Sequence, residues 1–299
     1  MNIFAASDII ESLTLWYQIA KILGILPYKI LRKNLKISWI GIISSFSFYI
    51  YFIYTFIIYI PDLSSKRYIN QFISFFDYLL YRIFFFGIYL STTINAKKFF
   101  SILKEISKID NLFIMMNIQF SYEKIKKKLI INLLISIVIF LIFQLLNWYL
   151  GNTGKKFYFN FFLIVHAITE VFRILILMRS HIILKVLKER FEAVNRSIKN
   201  LSKENNYKMF ERIDKLKFIH NELCDVCEML NDVESVPVMC CLAGMFLMII
   251  TNGYYLYSFW YNHTDGLMYK FMSGIIISVR YTFYGMILIP GFVNLAKEV

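Results

Sequence analysis

Six long apolar runs, at 37–60, 72–94, 129–150, 157–178, 236–260 and 271–293, constrain this chain more than any other feature. Each is long enough to cross a hydrocarbon core of about 30 Å at about 1.5 Å per helical residue. The runs are apolar all round rather than striped, so burial against a soluble core does not account for them. The pattern predicts an all-α fold, a polytopic transmembrane helical bundle forming one domain over residues 1–299. A mean hydropathy of +0.57, with 58% hydrophobic and 18% charged residues, excludes a disordered chain and an ordinary soluble globule.

Charge sets the orientation. The N-terminal segment carries five Lys and Arg, the second gap eight, the fourth gap ten and the tail one, whereas the first, third and fifth gaps carry two, two and one. In all, 24 of the 33 basic residues fall on one side and five on the other. The remaining four, Arg82, Arg173, Arg179 and Arg280, lie within spans or at their edges. The positive-inside rule then places the N-terminus, the second and fourth gaps and the C-terminus in the cytosol. The net charge of +13 reads as an orientation signal facing anionic membrane lipid, with no nucleic-acid partner. Asn262-His263-Thr264 is a glycosylation sequon in an outside gap, which makes Asn262 a candidate site. Two further sequons, at Asn195 and Asn200, fall inside, where they are silent. A cytosolic N-terminus is opposite to that of a G-protein-coupled receptor. No secretory leader is legible, because Asp8 and Glu11 stand where a basic region belongs, so the first span is expected to direct insertion.

The inside segments are long and periodic. In the second gap Phe100, Leu103, Ile106, Ile109 and Leu112 recur at helical spacing. In the fourth gap, over about 185–235, one stripe runs through Leu187, Phe191, Val194, Ile198 and Leu201. It breaks at 202–206 and resumes with Ile213, Leu216, Ile219 or His220, Leu223, Cys227 and Leu230. Two amphipathic helices are predicted, extending spans four and five into the cytosol and pairing with each other. The rest of the chain offers this stripe no obvious cover, so it is expected to contribute to subunit assembly; a solvated hairpin is the simpler reading. Cys224, Cys227, Cys240 and Cys241 cluster at one membrane face. The lone Cys224-x-x-Cys227 lacks a second Cys/His pair, so it reads as core-facing thiols and not as zinc ligands.

Charges within the spans are costly and mark a site or a packing network. They are Asp77 and Arg82 in span two, His166, Glu170 and Arg173 in span four, and Arg280 in span six. Glu170 and Arg173 are three apart and share a helix face. These six residues are the candidate ligand-binding set, with an internal ion-pair network as the alternative. Asn252-Gly253 in span five is a polar, flexible pair suited to close helix packing. No HExxH, GxSxG or Walker pattern is present and the four histidines are scattered, so neither a metal, a cofactor nor an enzymatic activity is expected.

The stretch 216–257 carries His220, Leu223-Cys224, Leu230-Asn231 and Tyr254-Tyr255-Leu256-Tyr257. In that order it resembles the insect gustatory receptors, as do Leu23-Gly24-Ile25-Leu26-Pro27 and Ile109-Asp110. The resemblance implies a plasma-membrane protein of seven helices with a cytosolic N-terminus, a chemosensory receptor. It also implies a homo- or hetero-tetrameric ligand-gated cation channel for a small-molecule tastant. In that family a seventh helix with a Thr-Tyr…Gln signature lines the pore. Six spans are found here and the signature is absent, so the chain is expected to be a partial one to which no pore residue carries over. A small-solute transporter is the alternative function, although no paired broken helices or half-to-half symmetry are visible.

Overall fold

The computed structural model describes residues 6–23, 26–31, 34–58, 68–151, 161–201 and 206–262, with 275, 279, 293 and 295–298. Five of the six apolar runs lie largely in helices: α3 (Trp39–Ile58), α4 (Tyr68–Ile94), α6 (Tyr122–Gly151), α7 (Phe161–Leu201) and α8 (Asn206–Asn262). Two short helices, α1 (Ile9–Ser12) and α2 (Thr14–Ile22), precede them, and α5 (Ala96–Met115) joins α4 to α6. The sixth run falls almost entirely outside the described residues. Among the described residues, one continuous stretch, Met209–Thr251 of α8, is both long and apolar enough to cross a membrane.

The predicted extensions of spans four and five are single helices, 41 residues in α7 and 57 in α8. In α7 no Gly or Pro stands where the apolar run meets the amphipathic stripe, and in α8 the one such residue is Pro237. Pro237 is tolerated inside α8, although it removes one backbone hydrogen bond at that junction. The stripe itself is buried at Leu187, Phe191, Val194, Leu216, Ile219 and Leu223. Ile219, rather than His220, takes the inward position; His220 stacks edge-on against Phe191 at 5.6 Å. Ile198 and Ile213 face outward instead, 51% and 39% exposed, although Leu201 nearer the end of α7 is buried. The stripe is covered within one chain, since α7, α8 and α5 pack together. Cover by other subunits is therefore not needed to explain it.

The core sits at one end of the bundle, called the base here. It combines α1, α2, α5 and the adjoining lengths of α7 and α8, with Trp16, Phe99, Ile106, Leu175, Ile183 and Leu187 buried. The first 23 residues carry no long apolar run, yet Ile9, Leu13, Trp16 and Ala20 are buried with almost no exposure. Asp8 caps α1 by accepting from the Glu11 backbone N–H at 2.8 Å, and Glu11 reaches back to the Ser7 N–H at 2.8 Å. The arrangement differs from a capping box in that Glu11 accepts from the residue before the N-cap. The acids that argued against a leader peptide thus start a helix.

The chain is mostly helical, as expected of an all-α fold; its one short sheet among the described residues is an antiparallel hairpin, β1 (Tyr28–Leu31) and β2 (Asn34–Ile37), in register Tyr28↔Ile37 and Leu31↔Asn34. Ile37 ends this strand and does not begin a span; α3 starts at Trp39. The Ser38 N–H donates to the Pro27 carbonyl at 2.8 Å, which folds the hairpin back on the start of α3. Gly41 makes the approach possible: a Cβ there would stand 2.7 Å from the Leu26 carbonyl oxygen and 2.8 Å from the Pro27 Cα.

Beyond the base, α4 and α8 pack along each other, with Gly87 opposite Cys240 and Gly244 opposite Phe84. Small residues at such a crossing let helices approach closely. By contrast, α3 leaves Ile43, Phe46 and Ile50 exposed, and α6 leaves Leu134, Ile135, Val138 and Leu141 exposed. Continuous apolar faces of this kind require cover other than water.

Candidate functional site

Two buried ion pairs organise the base. The first begins at the end of α5. There Asn117 adopts φ 61, the Ile118 N–H donates to the Phe113 carbonyl and the Asn117 N–H to the Ile114 carbonyl, both at 2.9 Å. This is a Schellman stop, for which Asn is suited by its tolerance of left-handed backbone. The turn sends the chain back along α5, so Phe120 stacks edge-on to Phe113 at 5.2 Å and the Tyr122 hydroxyl donates to the Asp110 carboxylate. From α7, Arg190 grips the same carboxylate with two bonds, Nε to Oδ1 and Nη2 to Oδ2, each 3.0 Å. The guanidinium also lies 4.1 Å from the Phe120 ring centroid and donates through Nη1 to the Val186 carbonyl at 3.2 Å. A planar fork that pairs bidentately and stacks on a ring is a role that Lys does not fill. The Arg190 side chain is 0% exposed and that of Asp110 3%. Burial and then the Asp110 carboxylate push the Tyr122 hydroxyl well above its ordinary value.

The second pair joins α7 to α8 and to the N-terminal helices. Arg179 Nη2 lies 2.5 Å from Glu234 Oε1, and the neighbouring Ser180 hydroxyl donates to Glu234 Oε2 at 2.7 Å. The Arg179 guanidinium sits 4.3 Å from the Phe99 centroid and 5.2 Å from that of Trp16. Trp16 in turn donates its indole N–H to the Leu175 carbonyl at 2.8 Å. One cation thus ties α2, α5, α7 and α8 together through charge and ring faces. Burial raises the nearby Tyr17 hydroxyl far above its usual range.

Two cavities adjoin these pairs. One, of about 390 Å³, lies between α7 and α8 and is lined by Ser180, Leu184, Cys227, Leu230, Glu234 and Met239. The other, of about 660 Å³, is an open cleft between α6 and α7 whose charged lining is Lys124, Lys128, Lys185, Glu189 and Arg196. Lys128 is held below its ordinary value, first by contact with the Lys185 ammonium and then by burial. Cys224 and Cys227 are free and half-buried. Burial, then the neighbouring Cys224, pushes the Cys227 thiol up to about 11. Among the described residues no three His, Cys, Asp or Glu side chains converge on a metal site.

The residues singled out in the spans are distributed differently. Asp77 and Arg82 lie on α4, and His166 and Glu170 on α7, but their side chains are outside the described set. Arg173 is buried on α7, 2% exposed. Arg280 falls outside the described residues, and Asn262 is the last residue of α8. The groups that the structure does bring together are Asp110 with Arg190 and Arg179 with Glu234; none of the four is in the candidate ligand-binding set, although Arg179 was placed within a span or at its edge and Asp110 belongs to the Ile109-Asp110 pair. A signal for them exists. Arg190 falls four residues from both Val186 and Val194, and Asp110 four from Ile106 and three from Phe113, so each interrupts a buried stripe.

The chain is a bundle of long helices with apolar outer faces and an ion-paired base, and its class is given by its sequence relationship. The family described as 7tm Chemosensory receptor matches residues 13–299. The chain belongs to that family, which is one of membrane proteins and not of enzymes. No curated protein matches the chain as an individual relative.

Proposed function

We propose that the protein is a gustatory-type receptor subunit of a ligand-gated cation channel in the plasma membrane. The observation that carries this reading is the family match, which extends over 13–299 and so takes in both the helices and the base. In this reading the chain crosses the membrane several times, with its N-terminus and base in the cytosol, and works within a homo- or hetero-tetramer. The charge asymmetry and the exposed apolar faces of α3 and α6 support it. A small-molecule tastant enters from outside into a cavity among the spans, where Asp77, Arg82, His166, Glu170, Arg173 and Arg280 are the candidate contacts. Binding acts by favouring one conformation of the assembly over another, as differential affinity requires. The helices α7 and α8 run without interruption from the apolar zone to the base, so a shift near the ligand would be carried along them.

Calcium imaging of cells expressing the chain together with related subunits, against a panel of sugars and bitter compounds, tests this. A compound that evokes a cation-dependent rise is expected. Uptake of a labelled solute with no accompanying current would identify a transporter instead.

A further inference from the structure

The open cleft between α6 and α7 has no part in the reading above, and its lining is unlike the rest of the surface. On α6, Lys124, Lys128 and Asn132 recur every four residues and so share one face. On α7, Lys185, Glu189, Ala193 and Arg196 form the facing wall. Ala193 is buried and small, which gives the cleft depth, and Ile125, Ile182 and Val186 make an apolar floor. Four cations thus surround one carboxylate. That carboxylate, Glu189, is already shared between Lys185 and Arg190, at 3.7 Å from each. Lys128 and Lys185 line the cleft from opposite helices, with Glu189 the one carboxylate between the four cations.

The cleft is continuous with an apolar surface. One turn beyond Lys128, α6 exposes Ile131, Leu134, Ile135 and Val138, all at least 43% accessible. The ligand that fits is therefore amphiphilic, with a phosphate group for the lysines and chains for the stripe. A charge excess of this size suits more than one phosphate. We infer that this cleft binds the multiply phosphorylated headgroup of an anionic lipid, with the acyl chains lying along α6. Basic pockets between membrane helices on the cytosolic side recognise such headgroups. The inference rests on the cytosolic position of the base in the proposed function.

The test uses the full chain exchanged from detergent into amphipol, and its binding to phosphatidylcholine vesicles. One set carries a few per cent phosphatidylinositol 4,5-bisphosphate, another enough phosphatidylserine to match its charge. Binding is expected to favour the bisphosphate vesicles by roughly tenfold or more, and Lys128→Gln with Lys185→Gln to abolish that preference. The control pair Lys97→Gln and Lys98→Gln removes the same charge from exposed positions on α5 and is expected to leave it intact. A monodisperse elution profile verifies that each variant is folded. Equal binding to the two charged vesicles, or equal loss in the control pair, would reduce the cleft to diffuse surface charge and overturn the proposal. Soluble inositol 1,4,5-trisphosphate competing as strongly as the lipid would assign the cleft to a free phosphate, and so reject the lipid. Vesicle binding by the purified chain does not depend on orientation in the cell, so epitope accessibility at the N-terminus separates failure of this inference from failure of the topology.

Discussion

Replacing Asp110 with Ala should be among the most damaging single changes in the base. The substitution removes both Arg190 bonds of 3.0 Å and the Tyr122 bond, and strands a guanidinium whose side chain is 0% exposed. Breaking a buried pair from one side costs about 3–5 kcal/mol, because the remaining charge stays desolvated. The Phe120 face offsets only part of that, on the order of 1–2 kcal/mol. A loss of about 3 kcal/mol corresponds to a drop in apparent Tm of roughly 6–12 °C for a domain somewhat smaller than this one. The assay is fluorescence-detected size-exclusion chromatography after heating the detergent-solubilised chain. The decisive arm is the double variant Asp110→Leu/Arg190→Met, which removes both charges and fills the space. It should recover at least half of the Asp110→Ala loss, since a matched apolar pair is often no worse than a buried ion pair. A double variant that is as unstable as the summed single variants, or an Asp110→Ala protein within about 1 kcal/mol of the parent, would refute the argument from desolvation.

Three further outcomes follow from single residues. The raised Tyr122 hydroxyl contributes stability that is fully present below the free tyrosine value near 10 and is lost as pH rises towards its folded value; Tyr122→Phe should flatten alkaline unfolding scans above about pH 10, though not abolish the slope, because Tyr17 is raised as well. Gly41→Ala should cost about 1–3 kcal/mol, read as lower yield and an earlier melt, because its Cβ would meet the Leu26 and Pro27 backbone, which has no rotamer to move. With its thiol pushed up to about 11, Cys227 should be alkylated by maleimide at neutral pH far more slowly than free cysteine, as mass spectrometry of timed samples will show.

Much of the architecture is legible in the sequence because it rests on periodicity. Runs without a polar face must be helices in lipid or core, and five of six lie largely in helices among the described residues. The stripe through Leu187, Phe191 and Val194 is buried because its three- and four-residue spacing leaves no other choice of face. The N-terminal helices are not legible because they are short, 4 and 9 residues, too short for a clear helical period. The hairpin was hidden because Ile37 adjoins an apolar run, and a four-residue strand is too short for alternation to be distinguished from helix. The site was less legible for a different reason. Arg190 and Asp110 are 80 residues apart and Arg179 and Glu234 55 apart, so each pair is made by tertiary packing, which no local pattern encodes. What a sequence does display is a charge lodged in an apolar stripe, and both Asp110 and Arg190 are of that kind.

Orientation is the claim on which both the receptor reading and the lipid cleft depend. Epitopes placed at Met1 and beside Ser202, stained in intact and then in permeabilised cells, test it most directly. The 24-to-5 division of basic residues predicts that both are stained only after permeabilisation, with an epitope beside Asn262 stained in intact cells. Staining of the Ser202 epitope on intact cells would contradict the account, since it would put the ion-paired base outside.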